Sequence, residues 1–318
     1  MALTAAPRPL ARIAPTPNGY LHLGNALNFA LTWLMVRQAG GQLLLRIDDL
    51  DQERARPEYV AAIFRDLEWL GIDYDLGPSG PDEFWQSFSQ TKRLDLYEAQ
   101  LATLAGATLP DGSPLVFACT CSRAQVRNSP DGQYAGTCRG KPVGKSTGAT
   151  WRVSTPLGSM STFALFAGGH QQVDVHAQVR DFIVRQRGGQ PGYQVASLTD
   201  DLHFGVNLIV RGEDLLASTG AQSYLAAQLP NQPFAKIQFY HHPLLAGADG
   251  QKLSKSAGAA SLQQWWAQST SPAGFYRSLA KLLGVENAAQ VTQIQDILPH
   301  FELVNLPKGG GSRFLSLM

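Results

Sequence analysis

An α/β fold built on a parallel sheet is predicted by three features of this 318-residue chain. Strand-like apolar runs and helix-like amphipathic stretches alternate near its start in the order β-α-β-α. The run Leu43-Leu44-Leu45 is apolar throughout, which suits a strand covered on both faces. Pro and Gly punctuate the boundaries between these stretches.

Leu10–Ala14 reads as a short buried strand, broken by Pro15, Pro17 and Gly19. Leu27, Ala30, Leu31, Leu34 and Met35 recur at helical spacing and form one apolar face, and Gly40-Gly41 ends that helix. Gln42–Ile47 is the second strand. After the acidic turn Asp48-Asp49-Leu50-Asp51, Pro57 starts a helix at the position where its fixed φ and missing N–H cost nothing. Its stripe is Val60, Ile63, Phe64 and Leu67, and Gly71 stops it. Residues 76–92 read as loop and Leu94–Leu104 as a helix. Residues 106–150, rich in Gly, Pro, Ser and Thr, read as an insertion. Residues 151–192 are mixed, with strands expected at Trp151–Val153 and Arg180–Arg187. Leu208-Ile209-Val210 is a buried strand, followed by a helix from about Asp214 to Leu229 and a short strand at Ile237–Tyr240. Ala246–Ser256 is a polar loop, Phe275–Leu283 is the last clear helix, and residues 305–318 read as a loose tail.

The length suggests about two domains at ~150 residues each. Lys and Arg number 26 against 25 Asp and Glu, a net charge of +1, which excludes a strongly basic coat protein and an acidic tail protein. An enzyme acting on nucleic acid needs only a local basic face and stays open. The three cysteines all fall between Cys119 and Cys138. An odd count in one stretch is a poor disulfide framework and suits a reducing, cytoplasmic setting. The first residues show no signal-peptide pattern. The longest apolar stretch, Leu27–Val36, is interrupted by Asn28 and Thr32 and is far short of the ~20 residues of a membrane span, so no membrane partner is expected.

Two motifs carry chemistry. In Arg12-Ile13-Ala14-Pro15-Thr16-Pro17-Asn18-Gly19-Tyr20-Leu21-His22-Leu23-Gly24-Asn25 a strand gives way to a helix, whose first N–H groups favour anions such as phosphate. Gly24 gives a flat base or sugar close approach to the backbone, and His22 can donate to phosphate oxygens as charge builds in a transition state. Taken alone, the same residues make a plain strand-to-helix turn with a surface histidine. In Lys252-Leu253-Ser254-Lys255-Ser256, two lysines can close over a triphosphate; taken alone, this is a solvated loop. In an open α/β sheet both motifs would gather at the carboxyl ends of the strands. His241-His242 has no spaced metal-ligating partners and reads as surface. Cys119, Cys121, Tyr134 and Cys138 give C-x-C-x12-Y-x3-C, a set able to complete a tetrahedral zinc shell. The same spacing also suits buried, unligated cysteines.

With these residues in hand, the chain resembles the class I aminoacyl-tRNA synthetases. His22-Leu23-Gly24-Asn25 and Lys252–Ser256 resemble the HIGH and KMSKS signatures. The opening Arg12–Gly19 segment, Arg46-Ile47-Asp48-Asp49-Leu50-Asp51 and Arg211-Gly212-Glu213-Asp214 resemble the glutamyl branch. The cysteine pattern is similar to the zinc site of the glutamyl-queuosine tRNA(Asp) synthetases, which resemble a glutamyl catalytic half without an anticodon-binding domain. About sixty residues follow Lys255, too few for such a domain.

The resemblance implies a Rossmann-like (HUP-type) parallel sheet with a zinc-containing insertion and a short helical C-terminal segment. Residues 1–104 and 191–256 would be the two halves of the catalytic domain, 105–190 the insertion and 257–318 the C-terminal region. It implies catalytic roles for His22, Lys252 and Lys255, and ATP contacts from His22, Gly24, Asn25 and Lys255. Glutamate would be held by Arg12, Ile13, Ala14, Pro15, Thr16, Asp48, Tyr193 and Arg211, the arginines matching a carboxylate bidentately. For Arg12, Asp48 and Arg211 the other reading is an internal salt bridge. Asp48 stands where the family has Glu, one methylene longer. One structural Zn²⁺ would sit on Cys119, Cys121, Tyr134 and Cys138, and Mg²⁺ would accompany ATP.

The implied reaction is ATP-dependent activation of L-glutamate to glutamyl-adenylate, then transfer to the queuosine base at the wobble position of tRNA(Asp) by a monomeric enzyme. Three rivals stay open: a shortened glutamyl-tRNA synthetase charging the tRNA 3′ end, a tRNA-binding protein without catalysis, and a nucleotidyltransferase of the same superfamily.

Overall fold

The computed structural model describes residues 8–129, 132–144, 148–230, 233–245, 261–269 and 271–307. In chain order the main elements begin with β1 (Leu10–Ile13), α1 (Leu23–Gln38), β2 (Gln42–Leu45), α2 (Pro57–Leu70), α3 (Pro81–Glu83) and α4 (Leu94–Gly106). There follow β3 (Val116–Cys119), α5 (Arg123–Arg127), β4 (Thr150–Val153), β5 (Met160–Leu165), β6 (His170–Asp174), α6 (Val175–Val179) and β7 (Ile183–Arg185). The last are α7 (Tyr193–His203), β8 (Leu208–Gly212), α8 (Leu216–Ala226), β9 (Gln238–His242), α9 (Leu262–Gln268) and α10 (Ala273–Leu282). They pack as two compact units. The first takes the chain up to Lys92, Val206–Asp214 and the chain from Phe239 onward; the second takes Arg93–Gly205 and Leu215–Gln238.

In the first unit the strand order is β2-β1-β8-β9. β1 runs parallel to β2, from Leu10 opposite Gln42 to Ile13 opposite Leu45, and parallel to β8 at Ala11 opposite Leu208. The sheet is thus the α/β, mostly parallel one expected. Its order reverses at β1, and open α/β sheets bind ligands beside the strand carboxyl ends at such a switch point. Helix α1 buries residues on most of its circumference, from Leu23 and Ala26 to Met35 and Val36, so it is a core helix with no wet stripe. It stops where the chain must turn tightly into β2: a Cβ on Gly41 would lie 2.2 Å from the Pro9 carbonyl oxygen. That carbonyl accepts from Gln42 N at 2.8 Å and starts the β1–β2 ladder. Helix α2 starts on Pro57 and buries Val60, Ile63, Leu67 and Leu70.

The second unit carries an antiparallel sheet, β3-β4-β7, and an antiparallel hairpin, β5–β6, pairing Met160 with Asp174 through Ala164 with His170. Its helices α4 and α7 are joined by a buried ion pair. Arg93 Nε and Nη2 donate to Asp200 at 3.0 and 3.1 Å, and Tyr97 adds a bond to the same carboxylate at 2.9 Å.

Several elements depart from the sequence reading. Residues 76–92 are not plain loop: Pro81 opens α3, Phe84–Phe88 is a π-type turn around the fully buried Phe84, and a 3₁₀ turn spans Gln90–Arg93. Helix α7 has no apolar stripe to mark it in the sequence, because Ser197, Thr199, Asp200 and Asp201 are buried among its apolar residues. Helix α9 is too short for a periodicity, although Ser261 and Gln264 form a capping box at its start. The Arg180–Arg187 strand is shorter, at Ile183–Arg185. Most of the 305–318 tail lies outside the described residues. No helix among the described residues is long and apolar enough to cross a membrane.

Candidate active site and cysteine knuckle

The carboxyl ends of the parallel strands bring together residues far apart in the chain. β1 supplies the buried Arg12 and Ile13 and runs on through Ala14, buried Pro15 and exposed Thr16. β2 runs on to Arg46 and Asp48, with Arg46 N donating to Ile13 O at 3.0 Å and Asp48 N to Pro15 O at 2.9 Å. β8 supplies Arg211, 2 % exposed, and β9 supplies His241 and His242. A guanidinium this deep needs a partner or a ligand charge to offset its lost hydration. Arg46 grips Asp48 bidentately, Nε to Oδ1 at 2.7 Å and Nη2 to Oδ2 at 3.0 Å. Asp48 is therefore part of an internal salt bridge. The next residue, Asp49, is fully buried and accepts from Ser89 Oγ, Gln90 N and Gln52 Nε2 at 2.6, 2.7 and 3.0 Å. These three bonds pin the acidic turn.

The two histidines, expected at the surface, are buried at 8 % and 3 % exposure. The sequence misleads because a strand followed directly by Pro243 offers no alternation to show which face is covered. The His242 ring is neutral by geometry: Nδ1 lies 2.8 Å from the Pro243 carbonyl, to which it donates, so Nε2 accepts from Asn28 Nδ2 at 3.2 Å. The same amide donates to Val210 O at 3.1 Å. Asn28 thus ties α1 to β8 and β9, and its one sequence signal is that it interrupts an apolar helix. Burial, then the neighbouring Arg211 and His242, lowers His241 to about 3, so it too stays neutral beside the guanidinium. Buried Arg12 and Arg211 thus stand on neighbouring strands with neutral imidazoles beside them on β9, a setting suited to an anionic group.

His22 is the N-cap of α1. Its Nδ1 accepts from Gly24 N at 3.0 Å, and Asn25 Oδ1 accepts from His22 N at 3.0 Å, a capping box. With Nδ1 accepting, the neutral ring carries its proton on Nε2 as a donor. A Cβ on Gly24 would lie 2.8 Å from the His22 ring, so glycine is needed there for His22 itself to fold over the helix start. The Gly24 amide is accordingly engaged within the protein. Lys252 and Lys255 lie outside the described residues. Tyr193 opens α7 in the second unit and is 45 % exposed.

In the second unit, Cys119, Cys121 and Cys138 place their sulfurs within 4.8 Å of one another. Cys121 and Cys138 Sγ are 3.7 Å apart. Two sulfurs each ~2.3 Å from one tetrahedral ion stand about 3.8 Å apart, so the spacing fits zinc. Tyr134 Oη accepts from Cys138 N at 2.8 Å, which brings the phenol against the sulfurs. Burial alone would raise the Cys138 thiol, but hydrogen bonds from the Thr120 amide, Tyr134 and the other two cysteines outweigh it and bring it to about 6. Burial, together with the cysteines, pushes the Tyr134 phenol above its ordinary range. Cys121, by contrast, is raised by burial and by its two cysteine neighbours, so the donor set pairs a thiolate-prone Cys138 with a neutral phenol. Arginines brace it from outside: Arg139 pairs with buried Asp181 at 2.7 Å, Arg152 lies 4.1 Å from the Tyr134 ring centroid, and Arg187 donates to Thr120 O at 3.1 Å.

Comparisons with known proteins give the family and the fold. Residues 10–309 match the model of the family described as "tRNA synthetases class I (E and Q), catalytic domain". The chain is 36 % identical to a protein of Symbiobacterium thermophilum named "Glutamyl-Q tRNA(Asp) synthetase", over 93 % of each chain. It is 33 % identical to one of the same name from Deinococcus radiodurans, over 91 % of this chain and 94 % of that one. It is 32 % identical to "Glutamate--tRNA ligase 2" of Syntrophus aciditrophicus, over 95 % of this chain and 63 % of that one. Its fold is that of the glutamate-tRNA synthetase of Elizabethkingia anophelis, with TM-score 0.75 and 20 % identity over 96 % of this chain and 68 % of that one. The chain belongs to the class I tRNA synthetases (E and Q) and is an enzyme of that ligase class.

Proposed function

We propose that this enzyme activates L-glutamate with ATP and transfers the glutamyl group to the queuosine base at the wobble position of tRNA(Asp). The observation that supports the choice of acceptor is the 36 % identity to a relative named "Glutamyl-Q tRNA(Asp) synthetase", against 32 % to the glutamate–tRNA ligase. Enzymes of class I use ATP with Mg²⁺.

In this reading Arg211 and Arg12 hold the substrate's side-chain carboxylate. Asp48, Tyr193 and the Ile13–Thr16 segment place its amino-acid end. The α-carboxylate attacks the α-phosphate and pyrophosphate leaves, so the protein's contribution is positioning and charge stabilisation. His22, donating from Nε2, acts on the phosphates with Gly24 and Asn25 beside it, and Lys252 and Lys255 stabilise the departing pyrophosphate. Mg²⁺ on ATP offsets the charge of the phosphate oxygens. Zinc held by Cys119, Cys121 and Cys138, with Tyr134 as fourth donor, orders the knuckle and takes no part in the chemistry.

The test is transfer of labelled glutamate to tRNA(Asp) carrying queuosine or guanosine at the wobble position, with tRNA(Glu) alongside. Label on the queuosine tRNA alone is expected. Label on the 3′ end of tRNA(Glu) would replace this reading with 3′-end charging. Lys255→Ala is expected to slow adenylate formation at least ~10-fold with the fold intact.

A further inference from the structure

The proposed mechanism leaves unused a buried carboxylate on α2. Asp66 is fully buried, and its Oδ1 accepts from Trp266 Nε1 of α9 at 3.0 Å. Its Oδ2 has no hydrogen-bond partner among the described residues. A buried carboxylate with one oxygen engaged is a poor stabiliser, since an apolar side chain of similar volume would cost less in lost hydration. What an apolar contact cannot do is fix the rotation of a short helix; a directed N–H···O bond does.

The other end of α9 meets the candidate active site. Ser261, its N-cap, forms a β-bridge with His22, and Leu262 N donates to Leu21 O at 2.7 Å. Ser261 and Gln264 cap each other reciprocally at 2.9 and 3.2 Å, so the bridge and the helix start move as one piece. Leu262 is fully buried. Helix α9 is therefore a short strut with Asp66 at one end and the backbone of His22 at the other.

We propose that Asp66 and Trp266 are positioning residues for the activation step, acting through α9 on the backbone that sets the His22 ring. The inference rests on the phosphate role given to His22 above. Neither residue is placed against a substrate.

The experiment uses the full chain and four proteins: wild type, Trp266→Phe, Asp66→Asn and Tyr276→Phe. Tyr276 donates to Leu70 O at the end of α2, so loss of its hydroxyl weakens the same helix through a bond separate from Asp66–Trp266. Two readouts are taken, hydrogen exchange at the Leu262 amide and glutamate-dependent ATP–pyrophosphate exchange. Trp266→Phe is expected to speed Leu262 exchange and to lower kcat about 5-fold with KM for ATP little changed, since a sub-ångström misplacement of a positioned group is felt in the transition state. Asp66→Asn keeps an oxygen acceptor and is expected to preserve both readouts; Tyr276→Phe is expected to lower Tm and preserve both. Unchanged Leu262 protection in Trp266→Phe, or an equal loss of kcat in Tyr276→Phe, would overturn the proposal. If wild type shows no pyrophosphate exchange, the activation reading fails, and with it the catalytic purpose of the strut. Amide exchange then still decides whether the mechanical link exists.

Discussion

The strand-end cluster draws on positions 12, 46–48, 211 and 241–242, so it exists only once β1, β2, β8 and β9 have paired. The cysteine knuckle draws its donors from residues 119–138, one contiguous stretch that begins at the end of β3 and carries the short helix α5. In the first region the sheet holds the side chains. In the second, the sulfurs come from the end of β3 and from loop and turn residues rather than from neighbouring strands of one sheet, and like-charged thiolates would repel without an ion between them. The difference teaches where each region is vulnerable: the cluster to loss of single buried partners, the knuckle, if it holds zinc as proposed, to loss of that ion.

Breaking the knuckle is expected to give the largest effect. Structural zinc in isolated fingers contributes about 10 kcal/mol or more of folding free energy. If the knuckle holds zinc as proposed, Cys138→Ser should release it and expose the described residues of 119–141 to rapid amide exchange, while glutamate-dependent ATP–pyrophosphate exchange stays within about 3-fold. Metal analysis and exchange mass spectrometry check this; a fully folded knuckle without metal would contradict it.

Within the cluster, Arg211→Ala should lower kcat/KM for glutamate about 100-fold, the upper range for a lost charge-assisted pair. Steady-state exchange kinetics check it, and an unchanged KM for ATP would locate the loss at the amino acid.

Asp66 sharpens the comparison through pH. Burial, against the Trp266 bond and the Arg65 charge, raises its carboxyl from 3.8 to about 6. The folded chain holds this proton more tightly than the unfolded chain does. The stability from it is fully present below about pH 4 and is lost as the pH rises through 6, an amount of roughly 3 kcal/mol. Urea unfolding from pH 4 to 8 should show that slope, and Asp66→Asn should remove it.

The smallest effect is expected at Asn28. Asn28→Ala leaves the Val210 carbonyl and His242 Nε2 without their donor and should cost about 2 kcal/mol, read as a lower denaturant midpoint with an unchanged m-value.

The same contrast explains what was legible in the sequence. β1, α1, β2 and α2 were readable because apolar runs and Pro or Gly stops coincide there. The knuckle was readable because its donors are local. The burial of His241 and His242 was not, because it depends on α1 lying across β8 and β9, a contact between segments about 200 residues apart. Arg46 was visible only as part of a motif, and nothing local showed that it would grip Asp48. Asp66 and Trp266 carried no signal: a single Asp within an amphipathic helix reads as solvated, and only the fold places an indole opposite it.

Glutamate activation at the strand-end cluster is the proposal on which the other roles depend. Glutamate-dependent ATP–pyrophosphate exchange, run without tRNA, tests it most directly. Exchange with glutamate and not with aspartate or glutamine is the predicted result. No exchange with glutamate, either alone or with tRNA added, would contradict it and leave the cluster as a binding surface without catalysis.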